Sequence, residues 1–266
     1  MNWVTIDNTK CTNCGICIEE CPTFVFKEGE KKPEAVYQQY CISCGHCVAV
    51  CPNTAIDNIK APLTNQTSSK IFPQLKPEEA KHFLRSRRSI RNYKDISIQR
   101  EMLIQLVDIA HFAPTGSNLQ GVSYVIVDNR DIIKKAVEIE IQWIENDPML
   151  SMNLAHFIKL YRENNIDFIL HNAPALILTV STKDFARGRE NSILSLAYLE
   201  LYAPSIGLGS CWAGLFERYA LIDNSPIHNL FNIPENKKIT GVVMVGYPKY
   251  GYNRLVDRNP LDVTFY

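Results

Sequence analysis

Apolar residues recur at helical spacing through Met102, Leu103, Leu106, Val107 and Ala110, so the pattern predicts a helix from a cap at Ser97 to Phe112, closed by Pro114 and Gly116. Pro77 and Glu78 open a shorter helix through Leu84. Tyr124–Val127, Ala175–Val180 and Val242–Val245 are short β-branched, apolar runs separated by helical segments, which predicts three strands in an α+β or α/β layered domain. Asn191–Tyr202 repeats Ile193, Leu194, Ala197, Tyr198 and Leu201 at helical intervals, and these are expected in the core. Between Trp143 and Tyr161, the residues Met149, Met152, His156 and Phe157 read as helix packing in preference to the wall of a substrate channel. Ala61–Leu75 is polar, with two prolines and little periodicity, and reads as a connector. The chain thus divides into residues 1–60, a linker at 61–75 and a second domain at 76–266.

Composition agrees with a two-domain globular chain: 266 residues, 46% hydrophobic and 21% charged. Lys plus Arg and Asp plus Glu both number 28, so no global charge argues for nucleic acid or an anionic membrane. No apolar run approaches the roughly 18 residues of a membrane span, and Met1–Lys10 has no signal-peptide plan, so a cytoplasmic protein is expected.

Cysteine placement changes the picture most. Eight of nine cysteines fall in the first 51 residues. Cys11, Cys14, Cys17 and Cys21 precede Pro22, and Cys41, Cys44, Cys47 and Cys51 precede Pro52, which is one C-x2-C-x2-C-x3-C-P frame repeated 30 residues on. Three thiolates at this spacing wrap one cubane, while the fourth reaches the other. Cys11, Cys14, Cys17 and Cys51 are therefore assigned to one 4Fe-4S cluster, and Cys21, Cys41, Cys44 and Cys47 to a second. A zinc ribbon would use C-x2-C pairs without the third and fourth cysteine in register. His46 lies between two ligands but finds no vacancy and is expected to face solvent from a loop. This frame resembles bacterial two-cluster ferredoxins over residues 1–60. That segment holds five Lys and no Arg against seven Asp plus Glu, a slight acidity suited to a redox partner.

In the second domain, Arg85, Arg87, Arg88 and Arg91 crowd around Ser89, a combination suited to a phosphate. By itself such a run is also compatible with a solvated helix end or a nucleic-acid contact. About 25 residues later, APTGSNLQ (Ala113–Gln120) presents Asn118 and Gln120, whose amides can address a heterocycle's edge or cap a turn.

Together these segments resemble the nitroreductase family of FMN enzymes, in its R-[RH]-S-x-[RK]-x-[FY] and [AS]-P-[ST]-x-x-N-x-Q motifs. Gly207–Phe216 (GLGSCWAGLF) resembles the family segment that passes the flavin, and Val245–Lys249 its late G-[YH]-P element. The resemblance covers residues 80–266. It implies a homodimeric, three-layer α-β-α domain of α+β class with two FMN at the subunit interface. Arg87, Ser89 and Arg91 would hold the phosphate and ribityl side, with Arg88 a fourth member and Arg258 a further phosphate contact. Pro114, Ser117, Asn118 and Gln120 would approach the flavin across the interface, and backbone near Trp212, Ala213 and Gly214 would address its N5 side. Departures at Gly121, Val122 and Ala213 bear on substrate choice. Cys211 reads as a small buried filler more readily than as a redox thiol.

The fusion implies an oxidoreductase in which two clusters feed or drain FMN, up to four electrons per protomer. FMN would reduce a small flat acceptor such as a nitroaromatic, quinone or activated alkene. No side-chain acid or base is evident. Reduced ferredoxin, NADH or NADPH would serve as donor, and no Rossmann fingerprint is present. A non-enzymatic relay between one-electron and two-electron carriers is the alternative. A nucleic-acid-binding redox sensor ranks last, because an FMN phosphate already accounts for the arginines.

Overall fold

The computed structural model describes residues 3–69 and 74–266; part of the expected connector, residues 70–73, lies outside the described residues, as do Met1 and Asn2 of the amino-terminal stretch. The chain forms two compact units, Met1–Gln74 with Gly116–Leu119, and Leu75–Thr115 with Gln120–Tyr266.

The first unit is a duplicated half. Strand β1 (Val4–Ile6), helix α1 (Ile16–Glu20), the hairpin β2 (Phe26–Lys27) and β3 (Glu34–Ala35), helix α2 (His46–Val50) and strand β4 (Ile56–Asn58) follow in order. β1 pairs antiparallel with β4. The 30-residue sequence repeat reappears in the backbone. Gly15 and Gly45 precede α1 and α2 at φ 76° and 73°, Asn13 and Ser43 lie at φ 58° and 59°, and Phe24 and Thr54 at 54° and 50°. Val4, Val25, Phe26, Val48 and Ile56 make a small core with Cys17, Cys21 and Cys47. His46 is exposed, as expected, but opens α2 instead of lying in a loop.

The second unit is a three-layer α-β-α domain. Its elements are α3 (Pro77–Ser86), α4 (Arg100–His111), β5 (Ser123–Val127), α5 (Arg130–Asn146), α6 (Pro148–Asn164), β6 (Ala175–Thr182), α7 (Gly188–Tyr202), β7 (Gly209–Trp212), α8 (Gly214–Ala220), α9 (Pro226–Leu230) and β8 (Lys237–Gly246). The sheet order is β5-β6-β8-β7, and every pairing is antiparallel, which places the domain in the α+β class. Alternation along β6 explains the layers. Leu176, Leu178 and Val180 join the core beneath Ile133, Val137, Ile141 and Ile144 of α5. Ala175 and Ile177 join Leu103, Leu106, Leu196 and Leu199 of α4 and α7 on the other face. A strand buried on both faces must be apolar throughout, hence the unbroken run in the sequence.

Three expectations are corrected. Helix α4 starts at Arg100 with Gln99 in the cap position, so Ser97 does not cap it. On α7 the buried face is Gly188, Asn191, Ser192, Ser195, Leu196 and Leu199, while Ile193, Leu194 and Tyr198 are exposed. The reason is polar. Ser192 Oγ lies 2.7 Å from Thr240 Oγ1 of β8 and Ser195 Oγ donates to the Ala110 carbonyl of α4 at 3.0 Å, so small hydroxyl residues take the side that meets the sheet and the neighbouring helix. On α6, Leu150, Leu154, Ile158 and Tyr161 form the packing stripe, with Met149 and Met152 exposed and Phe157 half-exposed at its flank, 5.4 Å from the Phe168 ring.

Candidate functional site

Two voids in the first unit sort the eight thiols. One is lined by Cys11, Cys14, Cys17 and Cys51, with Ile6, Ile16 and Ile56. The other is lined by Cys21, Cys41, Cys44 and Cys47, with Val4, Val25 and Phe26. Each thus takes three cysteines from one half and the last from the other half. Each void is ringed by four thiols, the number of ligands that a 4Fe-4S cubane takes. Burial pushes the Cys17 thiol up and Cys47 up to about 12, so these sulfurs become thiolates only beside compensating positive charge, which iron supplies. Backbone N–H groups already point at sulfur at matching positions: Val25 N donates to Cys21 Sγ at 3.3 Å and Ala55 N to Cys51 Sγ at 3.2 Å.

In the second unit the arginine segment is sewn to the sheet edge. Ser89 bridges Ser210 of β7 in parallel, and Tyr93 bridges Pro248. Ile90 N donates to the Ser210 carbonyl at 2.9 Å, and the Tyr93 hydroxyl donates to the Ile90 carbonyl at 2.6 Å. Arg87 faces Glu200 of α7 at 3.7 Å, both side chains being mostly buried. Burial raises the Glu200 carboxyl against the opposing pull of Arg87. Glu200 was missed from sequence; a lone acid in the apolar run LSLAYLELY was the available signal. Arg88 lies over the Tyr252 ring, 5.8 Å from its centroid, and Arg91 is exposed. Cys211 is 1% exposed. Burial raises its thiol, and Arg91 and the Ser89 hydroxyl pull it down. The exposed Arg258 sits in the extended carboxyl-terminal segment, next to Asp257, which pairs with Arg85.

β7 runs from this edge into Trp212, Ala213 and Gly214. Ala213 N donates to the Val242 carbonyl at 3.0 Å, so that N–H is committed to the sheet. The turn is locked from behind. Arg189 Nη2 meets Glu217 Oε2 at 2.8 Å, Arg189 Nη1 donates to the Thr240 carbonyl at 2.7 Å, and Val242 N donates to Glu217 Oε1 at 2.8 Å. The Arg189 guanidinium lies 5.2 Å from the Trp212 ring centroid.

The APTGSNLQ segment is divided. Pro114 and Gln120 belong to the second unit, and Gly116–Leu119 to the first. Ser117, Asn118 and Gln120 all take left-handed φ of 52–58°, unusual for residues with a Cβ and frequent where function constrains the backbone. Gln120 N donates to Thr115 Oγ1 at 2.9 Å. Within the first unit, Asn118 Nδ2 donates to the carbonyls of Ile42 and Ser43, both at 3.0 Å. The Asn118 amide, expected at a flavin edge, is thus engaged with the loop between Cys41 and Cys44.

Comparison with known proteins agrees with this architecture. Residues 84–247 match the Nitroreductase family, and residues 10–56 match the 4Fe-4S dicluster domain. A relative from Archaeoglobus fulgidus, named as an NADH dehydrogenase/NAD(P)H nitroreductase, is 26% identical over 184 residues, 65% of this chain and 87% of its own. The iodotyrosine deiodinase of Thermotoga neapolitana is 28% identical over 183 residues, 65% of this chain and 94% of its own. A Bacteroides fragilis nitroreductase crystallised with bound FMN shares the fold, with TM-score 0.57, 18% identity and coverage of 70% of this chain and 99% of that one. The chain belongs to the nitroreductase family. It is an oxidoreductase of that family carrying an amino-terminal 4Fe-4S dicluster ferredoxin domain.

Proposed function

We propose that this chain is an FMN-dependent reductase of small flat acceptors, such as nitroaromatics, quinones or activated alkenes, joined to two 4Fe-4S clusters that exchange electrons with its flavin. The observation that carries the reading is the pairing of two four-thiol voids with an Arg87–Arg91 segment pinned to the strand that leads into Trp212, Ala213 and Gly214. When bound, the clusters supply single electrons and FMN couples them to two-electron reduction of the acceptor. Arg87, Arg88, Ser89, Arg91 and Arg258 would hold the phosphate and ribityl side. The neighbours of Ala213 would offer backbone N–H groups to the ring, and Pro114, Ser117, Asn118 and Gln120 would approach it from a second copy. Cys211, 1% exposed, reads as a packing residue. Eight thiol ligands favour a reducing, cytoplasmic setting, and among the described residues no helix is long and apolar enough to cross a membrane.

A homodimer accords with exposed apolar side chains on α7, Ile193, Leu194 and Tyr198, and at the carboxyl end, Leu261, Phe265 and Tyr266. The test is anaerobic reconstitution, assayed for about eight irons and one FMN per chain, followed by mixing with NADH, NADPH or reduced ferredoxin while flavin bleaching and cluster absorbance are recorded. Steady turnover of a nitroaromatic or quinone by either donor class is the expected result. Reversible reduction without turnover of any small acceptor would favour a relay serving a partner protein, and failure to bind FMN would overturn the reading.

A further inference from the structure

The repeat makes the two cluster sites alike in backbone, so any difference between them lies in the groups aimed at sulfur. The site of Cys11, Cys14, Cys17 and Cys51 receives the Ala55 N–H at Cys51. The site of Cys21, Cys41, Cys44 and Cys47 receives the counterpart, Val25 N–H at Cys21. It then receives two more donors, both at Cys41. Ser43 N donates at 3.4 Å and Asn58 Nδ2 at 3.6 Å.

Asn58 is 1% exposed, and its orientation is fixed, because Oδ1 accepts the Lys60 N–H at 3.0 Å and leaves Nδ2 to face the sulfur. The equivalent position 30 residues earlier is Glu28, which is exposed and cannot donate as a carboxylate. The Ser43 N–H is held in turn, since Asn118 Nδ2 grips the carbonyls of Ile42 and Ser43 in that loop.

A donor at a ligand sulfur stabilises the extra negative charge of the reduced cluster and raises its potential. Hydration acts in the same direction, and Cys14 is exposed. Mobile water at one ligand is nonetheless less well oriented than two N–H dipoles held in place, one of them on the buried Asn58.

We propose that the two cluster sites are electrically unequal, that the site of Cys21, Cys41, Cys44 and Cys47 has the higher reduction potential, and that Asn58 is the residue that sets the difference. This rests on both sites holding 4Fe-4S clusters. One electron entering at the Cys11, Cys14, Cys17 and Cys51 site is lost there and gained at the other, with no bond broken and no proton moved. The half-reduced protein therefore keeps its electron beside the loop that carries Asn118.

The test is an anaerobic redox titration of the reconstituted full-length protein, followed by electron paramagnetic resonance, for wild type, Asn58→Leu and Asn58→Asp. Two one-electron waves are expected. Asn58→Leu should shift the oxidised-to-reduced ratio of the upper wave about tenfold at fixed potential, about 59 mV downward, and leave the lower wave in place. Asn58→Asp, which keeps the shape but adds charge, should lower it further and replaces the leucine variant should that one not load. Coincident waves in wild type, or variants that move the lower wave or neither, would overturn the proposal. Iron and sulfide content below two cubanes would instead refute the cluster reading beneath it.

Discussion

Glu140 on α5 is a buried acid with no visible task. It is 0% exposed, and neither carboxylate oxygen has a hydrogen-bond partner. Burial pushes its pKa up to about 9, with Arg218 the opposing influence. The folded state therefore keeps the proton that the unfolded chain releases above about pH 4.5. Because the unfolded state binds fewer protons between about pH 4.5 and pH 9, stability falls as pH rises through that window. Glu140→Gln removes the titration while keeping the shape. It should stabilise the second unit by about 3 kcal/mol near pH 7 and by almost nothing below pH 4.5. Thermal unfolding of both proteins at several pH values checks this, and parallel curves would show that Glu140 ionises in place. Neither the burial of Glu140 nor the donor role of Asn58 is legible in sequence, since each depends on what packs against the residue. The cluster ligands are legible, because a covalent frame of three-residue intervals limits what the sulfurs can surround.

At the scale of elements, periodicity located α3, α4, α7, β5, β6 and β8 but misjudged which side of α7 is buried. A hydrophobic stripe predicts burial only where the opposing layer is also apolar, and here Asn191, Ser192 and Ser195 are buried, with Ser192 bonded to Thr240 of β8 and Ser195 to the Ala110 carbonyl of α4. The Ser97 cap failed for a related reason: a serine near a helix start is a cap only if its hydroxyl reaches the first free N–H groups, and the helix begins at Arg100. The lock behind Trp212 has no signature at all, because Arg189 and Glu217 come from helices 28 residues apart. Breaking it leaves Glu217, which is 5% exposed, with an unpaired charge. Arg189→Met should cost about 2 kcal/mol, discounted from a fully buried pair because Arg189 is 40% exposed. It should also weaken FMN binding roughly tenfold by loosening the turn. Flavin fluorescence titration separates the two effects, since a purely structural lock lowers the melting temperature and leaves FMN affinity unchanged in the folded variant.

For the whole molecule, the reading of FMN between two copies makes binding and assembly a single equilibrium. If Arg87, Ser89 and Arg91 come from one protomer and Pro114, Ser117, Asn118 and Gln120 from its partner, a lone chain offers half a site. FMN must then strengthen the dimer by the same factor by which dimerisation strengthens FMN binding. The exposed carboxyl-terminal segment supplies a handle, because Leu261 and Phe265, 89% and 92% exposed, offer apolar area to a partner surface. Removing residues 259–266, which keeps Arg258, should lower the mass in sedimentation from twice 30.3 kDa toward one chain. FMN added to the truncated protein should drive it back toward the dimer, with an apparent affinity that rises with protein concentration. The cluster spectrum should not change, because the thiol voids are complete within one chain. An FMN affinity independent of protein concentration, in a truncated protein that sediments as a monomer, would mean that one chain builds the whole flavin site.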